Sequence, residues 1–323
     1  MIRWAAVGTG TISHSVVPDL QTVDGNEVVL VHSRDAAKAA AFAEQYGIPR
    51  STGDYEAAIS DPEVDAVYLA TPFATHHELA RRALLAGKHV LVEKPMAMTA
   101  AEVEDLFRVA RERGVFLMEA MWMKFNPAYR RLHEEIAAGT IGEVRSVRAT
   151  FSIPFPDDGG GRWDLARSGG AFLDQGIYPI TLAHDVLGEP EEVTARGLVR
   201  DDGLDLSTHF TLDYADGRFA QGAASMVEFG ELTASVAGTR GWITLAPPFW
   251  ARTILTIHAG DFRRIFAEPE QVEYPREGNG YVPMLREVAQ AIGDGVLEHP
   301  VHPEAATVAA FRTIDDILAR VRA

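Results

Sequence analysis

Ile2-Arg-Trp-Ala-Ala-Val7 runs without a break into Gly8-Thr-Gly-Thr-Ile-Ser13, and about eighty residues later His89-Val-Leu-Val-Glu-Lys-Pro95 is a second apolar run ending in a sharp turn. An apolar strand that meets Gly-x-Gly at the start of a helix is the turn that seats a pyrophosphate on a helix end. Gly8 permits the tight turn, and Gly10 lets the backbone approach the ligand past Thr11 and Ile12. Ser13 puts another small residue where a third glycine is common. By itself the motif is also met as a glycine turn without ligand; its place directly after an amino-terminal strand favours binding. Lys94, at the carboxyl end of a later strand in the same sheet, adds a group for chemistry beside the dinucleotide.

Outward from these two stretches, the first ~120 residues alternate short apolar runs with amphipathic patterns, the form of a parallel α/β sheet. Strands are predicted at 2–7, 27–32, 65–70, 89–93 and 115–120, and helices at 36–46, 75–86 and 99–113, the last opened by a capping box of Thr99 and Glu102. Pro18 predicts a short or kinked helix over 13–20. After Met121 strands follow one another through tight turns, at 143–152, 193–199, 205–214, 218–226, 231–237 and 242–245, which reads as a mostly antiparallel or mixed open sheet. Helices at 126–138, 173–187 and 281–292 are expected to cover one face. The domains are read as a Rossmann dinucleotide-binding unit over 1–121, an α+β substrate and oligomerisation unit over 122–302, and a helix over 303–323 that packs back on the first unit.

Composition narrows the partners. With 46 acidic against 30 basic residues the formal net charge is -16, a field that repels nucleic acid and anionic membranes. No stretch has the length of a membrane span and none reads as a signal peptide. The absence of cysteine removes disulfides, thiolate metal sites and cysteine nucleophiles and suits a cytoplasmic protein. No histidine and acid cluster has metal-ligand spacing, so no metal is expected.

At the end of the second strand, where an NAD enzyme carries an acid for the ribose hydroxyls, stands His32-Ser33-Arg34. Ser33 and Arg34 suit the 2′-phosphate of NADP, with Lys38 one helical turn on, and NAD remains possible; the bland reading is a solvated basic helix start. Thr71 and Pro72 end a strand over the cofactor, with His76 on the next turn as a cofactor-side group or a plain helix-start histidine. Lys94 is awkward as a core residue, and desolvation there lowers a lysine pKa; a salt bridge to Glu93 or Asp174 is the alternative. Asp174 and Tyr178 stand four apart, a spacing that puts both on one face of an α-helix, where a carboxylate and a phenol can relay a proton. A helix cap and a half-buried tyrosine explain the same pair structurally. Trp122, Phe151, Phe155, Arg162 and Trp163 are candidates for a substrate pocket, or core.

With these residues the chain resembles the Gfo/Idh/MocA oxidoreductases over essentially its whole length. The likeness rests on Gly8-x-Gly10-x-Ile12, Gly53-Asp-Tyr55, Asp61-Pro-Glu-Val-Asp-Ala-Val-Tyr68, Thr71-Pro72 with His76, Ala86-Gly-Lys-His-Val-Leu-Val-Glu-Lys-Pro95, Gly139-Thr-Ile-Gly142 and Asp174-x-Gly176-x-Tyr178. Many relatives place histidine at Tyr178; the tyrosine, with Met118-Glu-Ala-Met-Trp-Met-Lys-Phe125, is similar to the branch of dimeric dihydrodiol dehydrogenase and NADP-dependent D-xylose 1-dehydrogenase. The resemblance implies a Rossmann domain joined to an open-sheet domain; the free face of that sheet argues for a homo-oligomer, first a dimer, because a large apolar sheet surface rarely faces water. The resemblance implies Glu93 and Lys94 at the cofactor, Lys94 orienting the reacting oxygen, Tyr178 moving the proton, and Asp174 holding substrate. It also suggests a cis peptide at Lys94-Pro95, which proline makes accessible at about 0.5 to 1 kcal/mol.

The function expected is an NADP(H)-dependent oxidoreductase of a sugar, cyclitol or vicinal diol. A 3-ketosugar reductase and a redox-assisted glycosidase use similar folds and residues. A dinucleotide-sensing regulatory protein without turnover is the rival from another class.

Overall fold

A computed structural model of the chain describes residues 1–157 and 160–323. It divides into two compact units, one of residues 1–122 with 276–307 and one of 123–275 with 308–323. The first is built on strands β1 (Ile2–Val7), β2 (Asn26–His32), β3 (Ser51–Thr52), β4 (Ala66–Leu69), β5 (His89–Val92) and β6 (Leu117–Glu119), in the order β3-β2-β1-β4-β5-β6. All pairs are parallel. Trp4–Val7, Ala66–Leu69 and Val90–Val92 are buried on both faces, which is why these strands read as unbroken apolar runs. The chain runs from β1 outward to β3 and then returns to β1's other side, leaving a crevice beyond the carboxyl ends of β1 and β4.

Local chemistry fixes the crossover helices. Asp35 caps the helix Ala36–Tyr46 by accepting from the N–H groups of Ala37 and Lys38, and Gly47 ends it in the left-handed conformation. Thr99 caps Ala100–Arg113 through the N–H of Glu102, while the Glu102 carboxylate reaches back to the N–H of Met98 at 2.8 Å, one residue beyond the expected box. Helix Ser13–Thr22 runs on through Pro18. The carbonyl of His14, which loses its helical partner to the proline ring, accepts from the Tyr46 hydroxyl at 3.5 Å. The short β3 and the helix Tyr55–Ser60, capped by Asp54, have no counterpart in the sequence expectation.

The second unit carries an eight-stranded mixed sheet of β7 (Val144–Ser152), β8 (Glu192–Val199), β9 (Asp205–Asp213), β10 (Phe219–Ser225), β11 (Ala234–Gly238), β12 (Gly241–Leu245), β13 (Ile254–Ala259) and β14 (Glu270–Glu273). The order is β14-β13-β12-β11-β7-β10-β9-β8, antiparallel except for the pair β7 and β10. Helix Ile177–Leu187 packs on β7 and β10. Strands β13 and β14 extend the sheet beyond what the sequence pattern predicts.

The expected division of the carboxyl-terminal region is corrected. Residues 303–323 do not pack as a whole on the first unit; from Val308 the helix Glu304–Arg322 lies with the second. Its apolar stripe of Phe311, Ile314 and Ile317 is fully buried, Thr313 hydrogen-bonds His184 at 2.8 Å, and Arg322 donates to the Gly169 carbonyl at 2.8 Å. The segment that returns to the first unit is 276–307. There the buried Asp19 carboxylate accepts from the N–H of Asn279 at 2.9 Å, its amide nitrogen at 3.0 Å, and the N–H of Tyr281 at 3.0 Å.

Replacing Asp19 leaves the buried Tyr281 N–H without its acceptor and removes the two part-buried bonds from Asn279. Asp19→Ala is expected to cost about 3 kcal/mol or more, since each bond to a charged acceptor is worth roughly 1.5 to 3. Denaturant unfolding measures it, and a loss under about 1 kcal/mol would show that the return segment is anchored elsewhere.

Candidate cofactor cavity and catalytic groups

In the first unit the glycine turn is required by contact. Gly8 has φ +107°, and a Cβ there would lie 2.2 Å from the Ala70 carbonyl oxygen. Ser13 is buried and its hydroxyl donates to the Gly8 carbonyl at 2.9 Å, so the small third residue also ties the turn to the helix start. Gly10 faces open space, with no atom within 4 Å of the position of a Cβ.

That space is a cavity of about 610 Å³. Its walls are Gly8 to Gly10 with Ile12, then His32, Ser33 and Arg34 at the end of β2, and Thr71 and Pro72 after β4. The rest is supplied by Gly53 and Tyr55, and by groups the sequence did not single out: Thr75, Glu78, Leu79 and Arg82. Arg82 lies 5.0 Å from the Tyr55 ring centroid and is paired with Glu56 and Glu78. His32 is 4 % exposed and its Nδ1 has no protein partner among the described residues; burial pushes its imidazolium down, which keeps the ring neutral. The residues suit a dinucleotide: a glycine cradle open at Gly10, an adenosine-side wall with Ser33 and exposed Arg34, and an Asp35 carboxylate turned to its helix cap. Thr11 and Lys38 are exposed and stand outside the cavity wall.

Lys94 leaves the end of β5 half-buried, with Nζ 5.9 Å from the Phe73 ring centroid. The Lys94-Pro95 peptide is cis, as expected. Buried groups hold the turn. The Met96 N–H donates to Glu119 Oε1 at 2.8 Å, and Glu119 Oε2 lies 2.8 Å from His302 Nε2, with Thr307 Oγ1 3.2 Å from the same nitrogen. Glu93 lies beneath, accepting from the Tyr68 hydroxyl at 2.9 Å and from the Lys94 N–H at 3.2 Å. Burial pushes its carboxyl up to about 7, against the pull of the Tyr68 bond and the Lys94 charge. His76 is fully buried, with Nδ1 2.8 Å from the Pro95 carbonyl and Nε2 2.7 Å from the Thr71 carbonyl. Both ring nitrogens face main-chain oxygens, and neither His76 nor Glu93 is in the cavity wall.

In the second unit Phe172–Gly176 forms a π-helical turn that continues directly into helix Ile177–Leu187. Asp174 lies inside that wide turn, so the α-helical spacing assumed for Asp174 and Tyr178 does not describe the pair. The turn has local causes. Gly176 lets the Phe172 ring lie where a Cβ would meet it at 2.5 Å, and buried Asp205 accepts from the Phe172 N–H at 2.6 Å. Asp174, 5 % exposed, accepts from Arg162 Nε at 2.9 Å, and that guanidinium stacks 3.8 Å from the Phe155 ring centroid. The buried Tyr178 ring meets Phe151 at 5.8 Å and Trp250 at 5.6 Å, and these two stack on each other at 3.6 Å. Of the aromatic candidates, Phe151 and Phe155 therefore lie with Tyr178 and Arg162. Trp163 donates to the Pro156 carbonyl at 2.9 Å, and the Trp122 ring meets Tyr281 at 4.5 Å, tilted by 33°, in the first unit. Trp250 was missed, because it follows Pro247-Pro-Phe in an irregular loop with no periodic signal.

The buried Glu93 has a consequence for stability. Its folded pKa is raised above the unfolded value, so its contribution is full below the ordinary glutamate range and is lost as pH rises through about 7. A glutamine there can accept from the Lys94 N–H and donate to Tyr68, without titrating. From about pH 4 to about pH 8 the stability of the wild type relative to Glu93→Gln is expected to fall by on the order of 3 kcal/mol. Asp205, pushed up to about 6 by burial, titrates in both proteins and cancels. Denaturant melts across this range check it; parallel stability curves would mean that Glu93 is ionised throughout.

Residues 2–121 match the GFO/IDH/MocA oxidoreductase family, NAD-binding Rossmann fold, and residues 129–244 match the GFO/IDH/MocA C-terminal domain. Trans-1,2-dihydrobenzene-1,2-diol dehydrogenase of Homo sapiens is 34% identical over 329 residues, spanning 99% of this chain and 96% of that one. The enzyme of the same name from Macaca fascicularis is 34% identical over 331 residues with the same shares. Among solved structures, a 3-ketoreductase from Actinomadura kijaniata in complex with NADP and TDP-benzene superposes with a TM-score of 0.88 at 30% identity, covering 99% of this chain and 98% of that one. Levoglucosan dehydrogenase, at 21% identity and a TM-score of 0.87 over 99% of this chain and 96% of its own, shares the fold. With relatives this similar over nearly full length, the chain belongs to the GFO/IDH/MocA family of oxidoreductases.

Proposed function

We propose that this chain is an NADP(H)-dependent dehydrogenase or reductase acting on a CH–OH group of a sugar, cyclitol or vicinal diol. The observation that carries the reading is Lys94, delivered from the end of β5 on a turn whose main chain is held by buried side chains on both sides. The full-length relatives named as dihydrodiol dehydrogenases support the substrate class, and the 3-ketoreductase complex supports NADP. Ser33 and Arg34 in the cavity wall, with Asp35 occupied at its helix, favour the 2′-phosphate over a bare ribose.

Gly8, Gly10, Ser33 and Arg34 would hold the dinucleotide, whose nicotinamide would supply or remove a hydride when bound. On the protein side, Lys94 places a positive charge at the substrate oxygen and stabilises the negative charge that develops there. In reduction the Tyr178 hydroxyl donates its proton to that oxygen as the carbon receives hydride; in oxidation it takes the proton back. Asp174, held by Arg162, orients a neighbouring hydroxyl, and the Phe151 and Trp250 rings give Tyr178 an apolar surround that limits water. Arg148 and Trp242 on the large sheet, with Arg240 from the turn between β11 and β12 and Phe266 from the helix Phe262–Phe266, line a groove of about 810 Å³. We assign that sheet to a homodimer or higher homo-oligomer, in the cytoplasm. The 3-ketoreductase likeness keeps a ketosugar reductase as the second reading. Absorbance-monitored turnover with NADP(H) and NAD(H) on aldoses, inositols, vicinal diols and ketosugars separates the two; no turnover on any of them would remove both.

Arg34→Asp is expected to weaken NADPH binding tenfold or more, from loss of charge-assisted bonds worth roughly 1.5 to 3 kcal/mol each. Fluorescence titration reads this directly, and unchanged affinity would end the NADP assignment.

Tyr178→Phe is expected to lower turnover by roughly 10²- to 10⁴-fold, the usual scale of general acid and base catalysis, with NADPH affinity preserved. Lys94→Ala is expected to lose at least as much, and the double variant less than the product of the two losses, because groups acting on one oxygen are not additive. Steady-state kinetics on the best substrate of the panel decides it. Near wild-type turnover in either single variant would take that residue out of the mechanism.

A further inference from the structure

One side chain, His76, bonds both the cavity wall after β4 and the turn after β5 at their main-chain oxygens. We infer that His76 is a positioning residue that couples the cofactor cavity to Lys94. The inference rests on the reading of Lys94 as the group at the reacting oxygen.

His76 begins the helix His76–Leu85 and is fully buried, so it touches no solvent-accessible part of the cavity. Its Nε2 lies 2.7 Å from the carbonyl of Thr71, a wall residue, and its Nδ1 2.8 Å from the carbonyl of Pro95, the residue after Lys94. Carbonyl oxygens only accept, so both contacts ask the ring to donate. A neutral imidazole has a single N–H. Burial and the Lys94 charge push the imidazolium down, while the two carbonyls and the nearby Glu119 hold it up. When the ring is neutral it donates to one carbonyl and leaves the other facing a bare nitrogen, so a shift at Thr71 is felt at Pro95 through a single proton. A second link runs through Phe73, whose ring lies 5.9 Å edge-on from His76 and 5.9 Å below the Lys94 ammonium. Glu119 fixes the other side of the turn at the Met96 N–H, so the Pro95 carbonyl is the side His76 can move. A dinucleotide that presses on Thr71 would thereby set the turn that aims Lys94.

Two amide substitutions separate the halves, because the amide nitrogen of asparagine falls near the position of imidazole Nδ1 and that of glutamine near Nε2. His76→Asn keeps the bond to Pro95 and loses the one to Thr71. It is expected to raise the NADPH Kd about tenfold, the scale of one lost buried hydrogen bond, and to lower kcat about threefold, because the bound dinucleotide no longer reaches the turn through the ring. His76→Gln keeps Thr71 and loses Pro95. It is expected to bind NADPH as the wild type does and to lose kcat about tenfold, with KM little changed. Equal losses in both variants, or none in kcat in either, would overturn the coupling. A measurement on the wild type keeps the test open if neither variant folds: NADPH added to protein with nitrogen-labelled histidine is expected to shift the His76 Nδ1 resonance as well as that of Nε2, and a shift confined to Nε2 would overturn it. Lys94→Ala is the control. Near wild-type turnover there would remove the reading beneath the coupling, whereas an inactive Lys94→Ala beside unaltered kcat in both His76 variants would remove the coupling alone.

Discussion

The main chain of Gly8 passes so close to the Ala70 carbonyl that no residue with a side chain can stand there. This one approach brings the carboxyl ends of β1 and β4 together and turns the chain from β1 into its helix. The wall of Thr71 and Pro72 then faces the glycine cradle across the crevice where the strand order reverses. Ser13 locks the same turn by donating to the Gly8 carbonyl, and His76 continues the line from Thr71 to Pro95. A side chain at Gly8 would therefore displace the wall that the histidine reads as well as the phosphate cradle.

Beneath that line the first unit buries a layer of polar groups around residues 94–96. A buried carboxylate is costly unless its oxygens are used. Glu119 meets this with the Met96 N–H on one oxygen and His302 on the other. Glu93 meets it with Tyr68 and the Lys94 N–H, and its carboxyl still rises to about 7. The two acids bracket the lysine turn and repel each other, which is a reason for one of them to hold a proton readily. His302 arrives on the return segment 276–307, and so do the donors that satisfy Asp19. These polar contacts join the buried apolar face of that segment, Met284, Leu285 and Val288, in holding a distant piece of chain in the first unit.

Much of this is legible in the sequence because parallel strands buried on both faces cannot hide: β1, β2, β4 and β5 read as apolar runs, and the residues at their ends, Gly8, Ser33, Thr71 and Lys94, mark one edge of one sheet. What was not legible depends on partners far along the chain. The π-turn needs Gly176 beside Phe172 and Asp205 on its first N–H, neither visible in the spacing of Asp174 and Tyr178. Strand β3 is two residues long, and β14 is Glu-Gln-Val-Glu, polar at three of its four positions, so neither carries an apolar run. The final helix shows its apolar stripe in the sequence, but a stripe says only that a face is buried. His184 and Gly169 decide against what.

The second unit sorts its candidate groups by polarity. Tyr178 sits among Phe151 and Trp250, while Asp174 is neutralised by a guanidinium that itself rests on Phe155. The Phe155 contact and the Nε bond together hold the guanidinium of Arg162 at Asp174, so the ion pair adds position as well as charge. On the proposed reading these two neighbourhoods divide the labour on a polyol. Its C–H face meets rings, its hydroxyls meet Asp174 and Arg162, and the oxygen beside Tyr178 is the one that loses its proton. The π-turn is what allows the division. By taking an extra residue between Phe172 and Ile177, it separates Asp174 from the α-helical register of Tyr178, and an acid and a phenol four apart in sequence occupy environments of opposite character.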